Sequence, residues 1–196
     1  SEDIVASIER AQRASNIKAI LLEIDSLGGS PVAAEEIAMA LKASKKPTVA
    51  VIRQSGTSAA YWVATGADKI YASRNSDVGG IGVSMSYLRN LNSDKQYVEL
   101  ASGKFKDTGD PDKVITPEER AILMRDIDIV HQNFIESVAS NRNMTIEKVK
   151  ELADGSSMLG LKARDVGLID DIGSWQEARE YLKGRIDEEA EICWNN

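Results

Sequence analysis

The chain has 196 residues, enough for a domain that buries roughly two-thirds of its unfolded surface and can keep a site dry. Its net charge of −7, with acidic and basic residues interspersed, offers no positive field for phosphates and no basic stripe, which argues against nucleic acid as a partner. A single histidine and a single cysteine, Cys193, exclude a Cys/His zinc cluster and an intrachain disulfide.

Ser1-Glu2-Asp3 reads as the cap of a first helix, in which Ile4, Val5, Ile8 and Ala11 recur at helical spacing. No apolar run nears the roughly 20 residues of a membrane span, so the chain reads as soluble. The abrupt start leaves room for an upstream strand or membrane anchor. Ile17–Ile24 reads as a buried strand, Val32–Lys42 as a helix led by Ser30 and Pro31, and Thr48–Ile52 as a second buried strand. Ala59–Gly66 is helical again and Lys69–Ala72 a short strand. Helices alternating with near-continuous apolar strands predict an α/β fold of parallel units, with ligands at the carboxyl ends of the strands.

Ser73–Gly82 reads as a turn region, and Gln96–Leu100 as a further strand. After the loop "ASGKFKDTGDPDKV", Thr116-Pro117-Glu118-Glu119 opens a long helix whose apolar face is Leu123, Ile127, Val130, Phe134 and Val138. Helices over Ile146–Ala153 and from Gln176 toward Leu182 follow, and "DEEAEICWNN" reads as a loose acidic tail.

Gly56-Thr57-Ser58-Ala59-Ala60 joins a strand to a helix, a setting that presents a serine at the sheet's edge with backbone N–H groups beside it. The plain alternative is that Ser58 caps the helix. A serine nucleophile needs a base, and the only histidine, His131, lies inside the long helix, where it reads as a packing residue. That leaves lysine, which serves only when neutral and therefore only when desolvated. Lys104 and Lys106 lie in a Gly-containing loop with Phe105 between them; on an ordinary surface loop both would be solvated. A second loop, Asp25-Ser26-Leu27-Gly28-Gly29-Ser30-Pro31, places paired glycines after a strand, where backbone N–H groups can approach a ligand. It lacks the Lys-Ser/Thr ending of a phosphate loop.

Taken in order, "IKAILLEIDSLGGSPVAAEEI", "GTSAAYWVATGADKIYA", "GGIGV", "SGKFKDTGDPDKVITPEER" and "FIESVASNRNMTIEKVKELADGSSMLGLKARDVGLIDDIG" resemble the signal peptide peptidase A (protease IV) family over nearly the whole chain. The resemblance implies a Clp protease/crotonase-like fold of repeated strand-strand-helix units with C-terminal helices. It implies a catalytic domain over residues 1–186 and an acidic tail over 187–196. Ser58 carries over as nucleophile and Lys106 as general base, with N–H groups of Gly28 or Gly29 and of Ala59 as oxyanion hole, and neither metal nor cofactor. Hydrophobic peptides, signal peptide remnants among them, are the implied substrates. A homo-oligomer whose neighbours complete each other's sites is the implied assembly, and the full-length protein is expected at a membrane, on a side left open.

Three positions depart from the family pattern. Ser58-Ala59-Ala60 stands where Ser-Gly-Gly is usual, Gly80 where a hydroxyl is expected to orient the lysine, and Leu27 where proline is common. Competing readings are a coenzyme A-dependent crotonase, an inactive membrane-associated scaffold and a phage-type capsid maturation protease.

Overall fold

The structure is a computed structural model describing residues 1–87, 89–90, 100–187, 189 and 191–193. The chain forms two compact units, Ser1–Gly82 with Asn133–Asn196, and Val83–Gln132. Apart from Leu100, which is exposed coil, the strand expected at Gln96–Leu100 lies outside the described residues.

The first unit is built on a six-stranded sheet. Its elements are α1 (Glu2–Arg13), β1 (Ile20–Ser26), α2 (Pro31–Lys42), β2 (Thr48–Thr57), α3 (Ala59–Thr65), β3 (Lys69–Ala72) and β4 (Asp77–Gly79). Then follow α4 (Pro117–Arg142), which runs through both units, and α5 (Ile146–Leu152), β5 (Ser157–Leu159), α6 (Gly160–Asp165), β6 (Asp171–Ile172) and α7 (Trp175–Ile186). β2 is central, paired in parallel with β1, β3 and β4; β6 adds in parallel to β3, and β5 antiparallel to β4.

Alternation along β2 sorts its side chains to two cores, as expected of a sheet covered on both faces. Ala50 and Ile52 join Trp62, Phe134, Val138 and Leu168 in the larger core. Val49 and Val51 meet Tyr71, Ala178 and Leu182 on the other face. A third cluster, Ile8, Ile37 and Leu41, fixes α1 on α2.

The helices begin where the sequence signals place them. Ser30 caps α2 by accepting from the Ala33 N–H, with Pro31 in the first turn. At α4, Thr116 Oγ1 accepts from the Glu119 N–H while Glu119 accepts from the Thr116 N–H, a reciprocal capping box. Ser1, by contrast, makes no side-chain cap bond. On the apolar face of α4, Phe134 and Val138 are fully buried whereas Leu123, Ile127 and Val130 are half-buried.

Four differences from the sequence expectations concern short or irregular segments. β1 starts at Ile20 rather than Ile17; β2 runs on to Thr57; the turn region contains β4; and β5, α6 and β6 occupy a stretch for which no element was expected. β2 reaches Thr57 through a bulge, where Arg53, Gln54 and Ser55 stand opposite Asp25 alone, between the pairs Ile24–Ile52 and Ser26–Gly56. Side chains satisfy the polar groups this leaves: Asp25 Oδ1 accepts from the Ser55 N–H at 3.1 Å, and the buried Ser76 hydroxyl lies against the carbonyls of Ile52 and Arg53.

Candidate active site

Beyond the bulge, β2 delivers Ser58 with φ 54° and ψ −130°, a backbone conformation that costs a residue with a Cβ about 1–3 kcal/mol. The neighbouring strands hold it there. The Ser58 N–H donates to Gly79 O at 2.8 Å, and Gly80 N–H donates to Ser156 O at 3.1 Å, so β4 and the segment before β5 brace the turn from behind. The Ser58 side chain makes no cap bond to α3. The structure therefore rejects the cap reading: a capping serine has an extended backbone and spends its hydroxyl on a helix N–H, and Ser58 does neither.

α3 itself is anchored from three directions. Trp62 stacks on Phe134 with centroids 4.7 Å apart. Asn141 Nδ2 donates to Thr65 Oγ1 at 3.0 Å, and the Tyr61 hydroxyl donates to Leu168 O at 2.7 Å. Burial pushes the Tyr61 phenol well above its ordinary range, so it stays a neutral donor. Behind it, the guanidinium of Arg142 makes a two-pronged bond to Asp170, both contacts at 3.0 Å, and further bonds to Gly167 O.

The Gly28–Gly29 loop lies directly against this serine. The Thr57 hydroxyl donates to Leu27 O at 3.1 Å, tying the loop to the end of β2. Gly28 has φ 123°, and a Cβ added there would stand 2.8 Å from Ser58 Cβ and 3.2 Å from both Ser58 Oγ and Ala59 N. Gly28 is therefore required by backbone conformation and by contact with the serine. Its N–H donates to Ser26 Oγ at 3.2 Å, whereas among the described residues the Gly29 N–H has no hydrogen-bond partner. As placed, Gly29 offers the unengaged donor. Gly28→Ala is expected to fold with lowered stability and to lose most of its reactivity toward a serine-directed fluorophosphonate, because the new methyl must push the loop or Ser58 aside. Labelling at the wild-type rate would show that the loop and serine can separate freely.

Gly80 also sits beside Ser58, at φ 62°, where an added Cβ would lie 3.3 Å from Ser58 N. A side chain here, including the hydroxyl-bearing one of the family pattern, would meet an unfavourable backbone conformation. Ser58, Ala59, Gly28, Gly29 and Gly80 are thus assembled within the first unit.

Lys104 and Lys106 belong to the second unit, on consecutive turns over residues 103–109. The Lys104 ammonium lies 5.0 Å from the Phe105 ring centroid, so the apolar cover from Phe105 goes to Lys104. Lys106 is exposed; its backbone N–H donates to Gly103 O at 3.2 Å. The sequence reading passed over a third lysine on this loop. Lys113 Nζ lies 2.7 Å from Asp107 Oδ2 and 2.5 Å from Glu119 Oε1, tying the residue after Lys106 to the start of α4. Hydrogen bonds to Asp107 and Glu119 raise Lys113 above its ordinary value, and the Lys113 bond foremost, with the Thr116 N–H, holds Glu119 down at about 2. Lys113 is therefore locked in the charged form and unsuited to act as a base.

His131 lies on α4 among packing positions, with Nε2 buried and without a hydrogen-bond partner among the described residues. No cluster of His, Cys, Asp or Glu able to hold a metal occurs among them, and no described helix is long and apolar enough to cross a membrane.

With this geometry in view, residues 40–188 match the profile of Peptidase family S49. The chain belongs to Peptidase family S49. Among curated relatives of this S49 chain, a candidate protease of Methanocaldococcus jannaschii is 32% identical over 90% of the chain and 58% of its own length. A candidate signal peptide peptidase SppA of Enterococcus faecium is 31% identical over 93% of the chain and 55% of its own length. The chain thus spans somewhat more than half the length of these relatives. Among solved structures, a variant of ClpP1 from Listeria monocytogenes superposes with TM-score 0.62 at 16% identity, covering 93% of this chain and 86% of that one. The expected Clp protease fold is the one observed.

Proposed function

We propose that this S49 domain is a serine endopeptidase acting on hydrophobic peptides, signal peptide remnants among them, through Ser58 and Lys106. The observation that carries the reading is the backbone of Ser58: a strained, uncapped serine, braced by β4 and pressed against a loop with an unengaged N–H. The family match and the names of the relatives support peptidase chemistry in particular.

In this mechanism Ser58 Oγ attacks the scissile carbonyl while its proton passes to a neutral Lys106 Nζ. The N–H groups of Ala59 and of Gly29, or of Gly28 once Ser26 releases it, hold the oxyanion. The Lys106 ammonium then protonates the departing amine as the C–N bond breaks, leaving an acyl ester on Ser58. Water, deprotonated by Lys106, hydrolyses that ester and returns both groups to their starting state.

A lysine base must be dry, and Lys106 is exposed on its loop. A neighbouring copy of the chain is the covering surface that the reading requires, so the working enzyme is a homo-oligomer. Attachment to a membrane in the full-length protein would bring it to its substrates. No cofactor has a part in these steps.

The test is covalent labelling with a fluorophosphonate, mapped by peptide mass spectrometry and repeated with a hydrophobic peptide as competitor. Labelling confined to Ser58 and suppressed by the peptide is the expected result. An assembled protein that neither labels nor hydrolyses such peptides would overturn the reading and favour the inactive scaffold.

A further inference from the structure

We infer that Asp25 is a positioning residue for the nucleophile, acting through the bulge in β2; the inference rests on the reading of Ser58 as nucleophile. The ladder between β1 and β2 is regular from Ile20–Thr48 to Ile24–Ile52 and resumes at Ser26–Gly56. Arg53, Gln54 and Ser55 intervene on β2 against Asp25 alone, so the strand must buckle, and a buckled strand presents N–H groups that the ladder cannot satisfy. Asp25 Oδ1 takes the one on Ser55 at 3.1 Å. The same residue thus caps the irregularity from the β1 side and restores the register that brings Gly56 and Thr57 alongside β4.

Two consequences meet at Ser58. On β2, Gly56 and Thr57 lead into the strained serine, whose N–H finds Gly79 O only if β2 and β4 stay in register. On β1, Ser26 and Leu27 lead into Gly28, held to β2 by Thr57 Oγ1 on Leu27 O. Asp25 lies where these two paths diverge, three residues before Gly28, and its hydrogen-bond partner Ser55 lies three residues before Ser58. Without its carboxylate, Ser55 N–H must turn to water, and the serine and the Gly28–Gly29 loop lose a shared reference point. What Asp25 supplies is an acceptor, and its charge is not required.

That distinction sets the test. Asp25→Asn keeps an acceptor oxygen in the same place; Asp25→Ala removes it. In the assembled enzyme, Asp25→Ala is expected to lower kcat and the rate of Ser58 labelling by about tenfold or more, with KM little changed, since a displaced oxyanion site affects the transition state first. Asp25→Asn should stay within about twofold of wild type in both. Amide exchange at Ser55, followed by NMR or by mass spectrometry, reads the contact without reference to activity: it should accelerate in Asp25→Ala and not in Asp25→Asn. Wild-type kcat and labelling in Asp25→Ala, an equal loss in both variants, or unchanged Ser55 exchange would each overturn the inference. Were the wild-type protein itself inert toward peptide and probe, the peptidase reading would fail, while Ser55 exchange would still decide whether Asp25 holds the bulge.

Discussion

Ser58→Ala is expected to abolish peptide hydrolysis, by at least about a thousandfold, while leaving the fold in place. The loss follows from removing the hydroxyl that attacks the carbonyl in the proposed mechanism. The retained fold follows from what Ser58 does not do. Its hydroxyl makes no cap bond, so no helix-capping contribution disappears with it, and the change in stability should stay within about 1 kcal/mol. Ser58→Gly makes the reasoning sharper. At φ 54° glycine relieves backbone strain that both serine and alanine must bear, so this variant should be as inactive as alanine yet melt higher than it. Parallel measurement of turnover and thermal unfolding for the three proteins checks both halves. An active Ser58→Ala enzyme would remove Ser58 from the chemistry, and a Ser58→Gly protein that melts below Ser58→Ala would show that the turn is not strained.

The second large effect is expected at Lys106. Lys106→Arg should lose turnover by about a hundredfold or more, because a guanidinium stays protonated at any usable pH and cannot accept the serine's proton. Lys104→Arg should remain active: a cation over the Phe105 ring is kept when arginine replaces lysine. Wild-type turnover should fall on dilution if a neighbouring copy supplies the dry cover. Peptidase assays on the variants and across protein concentration, with light scattering to follow assembly, test these together. An active Lys106→Arg enzyme, or a fully active monomer, would refute this mechanism. Lys113 is a useful control, since it already lies against Asp107 and Glu119; Lys113→Arg, which keeps the charge, should cost far less than Lys106→Arg.

The alternation of apolar strands and helices makes the parallel α/β core legible in the sequence, because β2 is buried on both faces and its residues need no alternation of polarity. The caps were legible for the same local reason: Ser30-Pro31 at α2 and Thr116 with Glu119 at α4 satisfy N–H groups within three residues of themselves. Ser58 could be singled out by its place between strand and helix, but whether it capped that helix could not be read locally. A serine there can spend its hydroxyl on the helix or withhold it, and the choice is made by Gly79 and by the Gly28 loop, which lie far from it in the chain. β5 and β6 were hidden because strands of three and two residues carry no period; they exist only because β4 and β3 offer them an edge. The bulge at Asp25 was hidden too, since a mismatch in register belongs to a pair of strands and to neither alone. Sequence by itself determined which residue types stand at each end of each strand. Tertiary structure alone decided which of them meet beside Ser58, because that depends on backbone contacts between segments the chain connects only at a distance.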